Sequence, residues 1–198
     1  MDSSSDSRVY EVRWHGRGGQ GAITAAQILA TAIYIQGYRG VTATPSFGAE
    51  RRGVPVSAST RFSHQSIRIY SQVETPDTVM VLDATLLKDV NVLNGLKEGG
   101  WLVVNSWKKP EELDINGDFN IATADVTNIS QRLGLALVNT AMLGAFSSVT
   151  SLVSLASIEK AIKQKLPLPA ADVNAKAARM SYERTFLKRR QPKGDDGN

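Results

Sequence analysis

Seven residues, His15-Gly16-Arg17-Gly18-Gly19-Gln20-Gly21, constrain the fold of this chain more than any other stretch. They follow Val9-Tyr10-Glu11-Val12-Arg13-Trp14, an alternating run that predicts a strand. They precede Ala22 to Ala32, rich in Ala, Ile and Leu, which predicts a helix. Strand, glycine turn, helix is the opening of a βαβ unit. Glycine serves such a turn in two ways: it accepts backbone angles that other residues resist, and it lets another molecule come close to the main chain. The first N–H groups of the helix then face whatever sits above the turn, and that place favours an anion such as a phosphate.

Composition narrows the chemistry. The 198 residues suit one domain with a sizeable core. There is no cysteine, so the chain can form no disulfide, offer no thiolate nucleophile and ligate no iron–sulfur cluster through its own thiolates. The two histidines, His15 and His64, fall into no zinc spacing. The net charge of +4 is concentrated near the C-terminus in Lys188-Arg189-Arg190 and Lys193. No basic face interleaved with aromatics marks a nucleic-acid partner. The most apolar stretch, Leu133 to Leu155, is interrupted by Asn139, Thr140 and several serines. It predicts a buried helix, with no membrane span.

Taken in order, the chain alternates strands with helices. Val41 to Thr44 predicts a second strand, ended by Pro45. Val54 to Arg61 and Ile67 to Ser71, separated by Ser63 to Ser66, predict an antiparallel hairpin. Thr78 to Leu82 and Trp101 to Asn105 are continuous apolar runs of the kind buried on both faces of a sheet. Phe119 to Thr123 predicts a further strand, Ala84 to Asn94 a helix, and Lys108 to Asp118 a surface loop. From Asn128 onward the pattern is helical, with Ser157 as an N-cap and a last helix over Ala170 to Lys188. The fold class expected is α/β: a three-layer α/β/α domain with a mixed, mostly parallel sheet and an inserted antiparallel hairpin. One domain over residues 8–190 follows, with a disordered lead at 1–7 and a disordered tail at 191–198.

Two stretches carry chemistry. Gly16, Gly18 and Gly21 satisfy G-x-G-x-x-G, but the second strand ends without the acidic residue that would hold a dinucleotide ribose. The turn is therefore either a tight structural turn or a site for some phosphate-bearing group. The second stretch is Pro45-Ser46-Phe47-Gly48-Ala49-Glu50-Arg51-Arg52-Gly53, an aromatic, a carboxylate and two guanidinium groups set among glycines. Glu50-Arg51-Arg52 is either an exposed ion pair or a recognition loop, since Arg binds carboxylate and phosphate in a planar, bidentate way and suits interfaces. Asp83, at a strand end, reads as a loop anchor. No nucleophile–base pair, no Walker lysine and no run of metal ligands emerges, so no catalytic residue is assigned.

The combination of Gly16 to Gly21, Pro45 to Val56, Val81-Leu82-Asp83, Asn139 and Leu143-Gly144-Ala145-Phe146 resembles the gamma subunit of 2-oxoacid:ferredoxin oxidoreductases, and the equivalent domain of single-chain pyruvate:ferredoxin oxidoreductases. The resemblance covers about Val9 to Tyr182. It implies one subunit of a cytoplasmic enzyme that oxidatively decarboxylates a 2-oxo acid to an acyl-CoA. Thiamine diphosphate, Mg and [4Fe–4S] clusters would sit on partner alpha, beta and delta subunits. Electrons would leave to ferredoxin or to a flavin/NAD subunit. On this view Gly16, Arg17, Gly18, Gly19, Gln20 and Gly21, with Arg51 and Arg52, contribute to the region where coenzyme A docks. Ser46, Phe47 and Glu50 would meet a neighbouring subunit. Phe47 to Gly53 matches the pyruvate-like group of the family, with branched and aromatic 2-oxo acids open as well. Two other readings stand beside it: a stand-alone Rossmann-like nucleotide-binding oxidoreductase, and a pure scaffold subunit that touches no ligand.

Overall fold

The computed structural model describes residues 8–45, 51–69 and 71–190. The expected lead at 1–7, the expected tail at 191–198, residues 46–50 and Tyr70 lie outside them. Seven strands form one sheet: β1 (Tyr10–Arg17), β2 (Gly40–Pro45), β3 (Pro55–Ser63), β4 (Thr78–Val81), β5 (Trp101–Asn105), β6 (Asn120–Ala124) and β7 (Phe186–Lys188). Their spatial order is β2-β3-β1-β4-β5-β6-β7. The helices are α1 (Ala22–Gln36), α2 (Leu86–Asp89), α3 (Val126–Arg132), α4 (Asn139–Thr150), α5 (Leu155–Lys165) and α6 (Ala170–Arg184).

Strands β1, β4, β5 and β6 are parallel neighbours at the centre, and antiparallel pairs close both sides. The hairpin exists, but its arms are β2 and β3, with Gly40 opposite Ser63 and Pro45 opposite Ala58. Ile67 to Ile69 is not a strand. Both candidate partners of β3 have strand-like composition; β2, which follows α1, takes the side of β3 away from β1, and 67–69 lies outside the ladder. A consequence reaches the site. β1 and β2 run the same way but β3 lies between them, so the unit opened by the glycine turn is a split βαβ.

The two sheet faces are covered very differently. Val12 and Trp14 of β1 point to one face and pack beneath α1, α4, α5 and α6 in the main core. Ala22, Ala25, Ala26 and Ala32 let α1 lie close on the sheet. There Trp14 Nε1 donates to Thr60 Oγ1 (3.2 Å), which donates in turn to the Ala26 carbonyl (3.0 Å). Each fully buried large side chain here stabilises by about 1.5–3 kcal/mol. On the opposite face Val79, Val81, Leu102 and Val104 are covered by α2, one turn long, and by the chain around Val92 and Phe119. The third layer is therefore thin. The helix expected over Ala84 to Asn94 stops at Asp89, because Val90 is extended (φ −136°) and β-branched Val90 and Val92 turn inward with Leu93 to cover this face.

Three further boundaries differ from expectation. α4 begins at Asn139, after a loop. α5 is capped by Ser154, whose hydroxyl accepts from Ser157 N (3.2 Å); Ser157 sits inside the helix. α6 ends at Arg184, and Phe186–Lys188 becomes β7, since the edge of β6 offers backbone partners that a continued helix could not use.

Candidate functional site: the glycine turn and the arginine loop

β1 carries straight through Gly16 to Arg17 before the turn begins. Gly18 then meets the second stretch found in the sequence. Its N–H donates to the Val54 carbonyl (2.8 Å), and Gly53 N–H donates to the Gly18 carbonyl (3.0 Å). A β-carbon on Gly18 would collide with the backbone carbonyl oxygen of Arg51. Glycine is required here for close approach. The chain thus folds the glycine turn and the arginine loop into one surface, although more than thirty residues separate them in sequence.

Gly21 serves a different end. It holds φ +80° as the residue before α1, and its carbonyl accepts from Asn139 Nδ2 (3.3 Å). A β-carbon there would strike the same side chain. Asn139 is buried at the start of α4, and its Oδ1 accepts from Thr140 N (2.9 Å). This residue positions the turn from across the core. Its sequence signal was a polar amide in an apolar helix.

Arg17 and Gln20 are held internally. Gln20 Oε1 accepts from Arg17 N (2.8 Å), and Gln20 Nε2 donates to Asp83 Oδ2 (3.1 Å). Arg17 donates to Asp83 (3.2 Å), to Thr85 Oγ1 (2.7 Å), to Asp89 and to the Gly53 carbonyl (3.3 Å). Asp83 also accepts from Thr85 N (3.0 Å) and Thr85 Oγ1 (2.6 Å). Burial pushes the Asp83 carboxyl up, but hydrogen bonds from Thr85 and Gln20 and the charge of Arg17 outweigh it and hold it below its ordinary range. Asp83 is the anchor its strand-end position suggested. Beside this network a crevice of about 400 Å³, lined by Gln20, Asp83, Thr85, Asn105 and Thr127, opens at the carboxyl ends of β1, β4 and β5. Open α/β sheets place ligands there.

Arg51 and Arg52 behave otherwise. Both are exposed, and neither takes part in an ion pair found among the described residues. The Arg52 stem runs beside Gly19, 3.8 Å from where a β-carbon would stand, while Gly53 faces open space. α1 opens below with no acidic residue in its first turn and no side-chain cap, so its positive end is not neutralised. Ser46, Phe47 and Glu50 lie outside the described residues.

His15 sits on the opposite face from Trp14. Its Nε2 accepts from Arg13 Nε (3.0 Å). Arg13 in turn donates to the carbonyls of Val92 (3.0 Å) and Asn94 (2.5 Å). Burial, with the nearby Arg13 charge, pushes the imidazole down to about 4. It is a neutral acceptor within a structural staple. Among the described residues no cluster of His, Asp or Glu could hold a metal ion, and no helix is long and apolar enough to cross a membrane.

Comparison with known proteins agrees with this architecture. The family model "Pyruvate ferredoxin/flavodoxin oxidoreductase" matches residues 11–184. The common gamma subunit of pyruvate/ketoisovalerate oxidoreductases from Pyrococcus abyssi is 48% identical over 183 residues, 90% of this chain and 98% of that one. The crystal structure of pyruvate oxidoreductase subunit PORC from Thermotoga maritima superposes with a TM-score of 0.79 at 38% identity, covering 91% of this chain and 99% of that one. A 2-oxoglutarate:ferredoxin oxidoreductase chain from Magnetococcus marinus, solved with 2-oxoglutarate, coenzyme A and succinyl-CoA bound, shares the fold with a TM-score of 0.70 at 19% identity, covering 89% of this chain and 31% of that one. With the family model spanning nearly the whole folded chain, and a gamma subunit matched end to end, this chain belongs to the pyruvate ferredoxin/flavodoxin oxidoreductase family, as a gamma-type subunit of a 2-oxoacid oxidoreductase.

Proposed function

We propose that this subunit contributes a phosphate-holding rim to the coenzyme A docking region of its complex, while the carbon and redox chemistry takes place on other chains. The observation that carries the reading is the Gly18–Arg52 bridge. It brings the arginine loop, with the Arg52 stem beside Gly19, to the uncapped start of α1 and to glycines that permit close approach, and neither Arg51 nor Arg52 enters an ion pair among the described residues. Arg51 and Arg52 would grip phosphate. Arg17, Gln20 and Asp83 keep the turn rigid beneath them, and Gly16, Gly18, Gly19 and Gly21 give it its shape.

Partner alpha, beta and delta subunits would hold thiamine diphosphate, Mg and [4Fe–4S] clusters. A chain with no cysteine fits that division, because cluster ligation needs thiolates from elsewhere. Bound on its own subunits, thiamine diphosphate supplies the carbanion chemistry of decarboxylation. Ser46, Phe47 and Glu50 would meet a neighbouring subunit, electrons would pass to ferredoxin or a flavin/NAD subunit, and the complex would work in the cytoplasm. The 2-oxo acid is pyruvate-like. The Pyrococcus relative is a gamma subunit common to pyruvate and ketoisovalerate enzymes, which supports a division in which other chains choose the substrate.

Arg52→Ala in the assembled complex tests the reading. We expect KM for coenzyme A to rise about tenfold, the loss of one charge-assisted phosphate contact, with KM for the 2-oxo acid unchanged. An unchanged KM for coenzyme A in a fully assembled complex would refute the rim. The scaffold reading draws support from the inward bonding of Arg17 and Gln20. It expects that unchanged KM.

A further inference from the structure

The far edge of the sheet, distant from the glycine turn in strand order, is built unlike the rest of the surface. β7 pairs with β6 on one side, Phe186 opposite Thr123 and Lys188 opposite Ile121. No described strand pairs with its other side. All three β7 residues are exposed, Phe186 by 49% and Leu187 by 45%. Free edges of monomeric proteins are protected by charge or by cover, and large apolar side chains there invite pairing. The neighbouring loop adds Trp107, 72% exposed, and Lys109, whose Nζ lies 5.7 Å from the Phe186 ring centroid.

β7 is also a ridge between two clefts. One, of about 520 Å³, lies against α3 and the end of α6, with Ile129 and Phe186 beside Arg132 and Arg184. The other, of about 510 Å³, has Phe119 and Ile121 with Lys188 and Arg189. A strand added to a sheet edge gains main-chain hydrogen bonds and sends alternate side chains to opposite faces. Here each face offers a cleft to receive them. The positive charge is concentrated in the second cleft, where Lys188, Arg189 and Arg190 face Glu111, while the first sets Arg132 and Arg184 against Asp125 and Glu183. Arg132, Arg184, Lys188 and Arg189 enter no ion pair among the described residues. Of the nearby acids, Asp125 is engaged capping α3 and Glu112 in holding Lys109 N. Over the two clefts together the basic lining residues outnumber the acidic ones, with Arg190 held by Glu98.

We propose that the β7 edge receives an extended, acidic segment of another subunit of the complex, which adds a strand beyond Phe186–Lys188 and drops alternate side chains into the two clefts. The inference rests on the subunit assignment but not on the coenzyme A rim. A second copy of this chain is disfavoured as occupant, since it would bring a second set of the same basic side chains, Lys188 and Arg189, to this edge.

The test compares backbone hydrogen exchange in the full-length chain alone and in the complex assembled with its companion subunits. We expect amides of residues 186–188 to exchange about tenfold or more slowly in the complex. We also expect Lys188→Glu with Arg189→Glu to weaken assembly about tenfold at low salt, while leaving the melting temperature of the free chain within a few degrees. Unchanged exchange at 186–188 on assembly would overturn the proposal, whether or not the double variant folds. So would protection in the free chain that vanishes on removal of residues 191–198, which would make the chain's own end the occupant. Protection that follows the chain's own concentration would point to a second copy and overturn it equally. None of these outcomes bears on KM for coenzyme A, so failure here is separable from failure of the rim.

Discussion

At the scale of single residues, His15 shows how a group beside the glycine turn can be held as a buried, neutral acceptor. Its imidazole is pushed down to about 4 by burial and by Arg13, against an ordinary value of 6.5. Between those pH values the unfolded chain binds a proton that the folded chain refuses. Stability therefore falls as pH drops from 6.5 toward 4, by up to about 3 kcal/mol in total, and this contribution is flat on either side of that window. His15→Gln keeps an acceptor for Arg13 and removes the titration. Urea melts from pH 4 to 7 should show a shallower acid-side slope in the variant than in the natural chain. An equal slope would place the proton elsewhere. Arg17 teaches the complementary point. As a residue type it matched the anion-binding reading, yet its guanidinium is spent on Asp83, Thr85 and Asp89, a fact fixed by side-chain direction and invisible in spacing.

At the scale of elements, the decisive joint is between the glycine turn and the strand that follows the arginine loop. Gly18→Ala would drive a methyl into the Arg51 carbonyl. The loop must shift, at a cost of about 1–3 kcal/mol. We expect a lowered melting temperature and, in the complex, the same rise in KM for coenzyme A as Arg52→Ala, since both displace the same guanidinium. Helix α5 offers a simpler case. Ser154→Ala removes the acceptor for Ser157 N and should cost about 1 kcal/mol, read in chemical denaturation with no effect on kinetics. Both cap serines were visible in the sequence, but the pattern alone selected Ser157. The choice of Ser154 depends on where the chain leaves the loop behind α4 and meets Gln36 of α1.

At the scale of the whole molecule, all the described helices but α2 gather on one face of the sheet, and α4 packs against α6 within that layer. Gly144 of α4 lies against the Ala178 backbone of α6, and a β-carbon would overlap its carbonyl oxygen. Gly144→Ala should separate the two helices and cost about 2–3 kcal/mol. Because α4 also carries Asn139 to the Gly21 carbonyl, we expect faster hydrogen exchange at the start of α1 as well. Retained protection there would show that the turn holds without α4. The second face is divided: its β4–β5 half buries Val79, Val81, Leu102 and Val104 under α2 and the chain around Val92 and Phe119, while its β1 half carries Glu11, Arg13, His15 and Arg17, satisfied by Arg61, carbonyls and Asp83.

The alternating pattern of β1, the buried runs of β4 and β5, the glycine turn and the beginning of α1 were all legible in the sequence, because each depends on local periodicity and on backbone angles that only certain residues accept. The lack of thiolates was equally plain, and with it the exclusion of any cluster ligated by this chain's own cysteines. Which strand pairs with β3, where α2 stops, and that the last residues of the fold form a strand were decided by competition for partners across the sheet. Composition cannot record that competition, since several segments were equally suited to win it. The site divides in the same way. Local sequence determined that a glycine turn and a pair of arginines would exist; only the tertiary structure decided that they share one surface, that Arg17 is engaged inside it, and that Arg51 and Arg52 are exposed and enter no ion pair among the described residues.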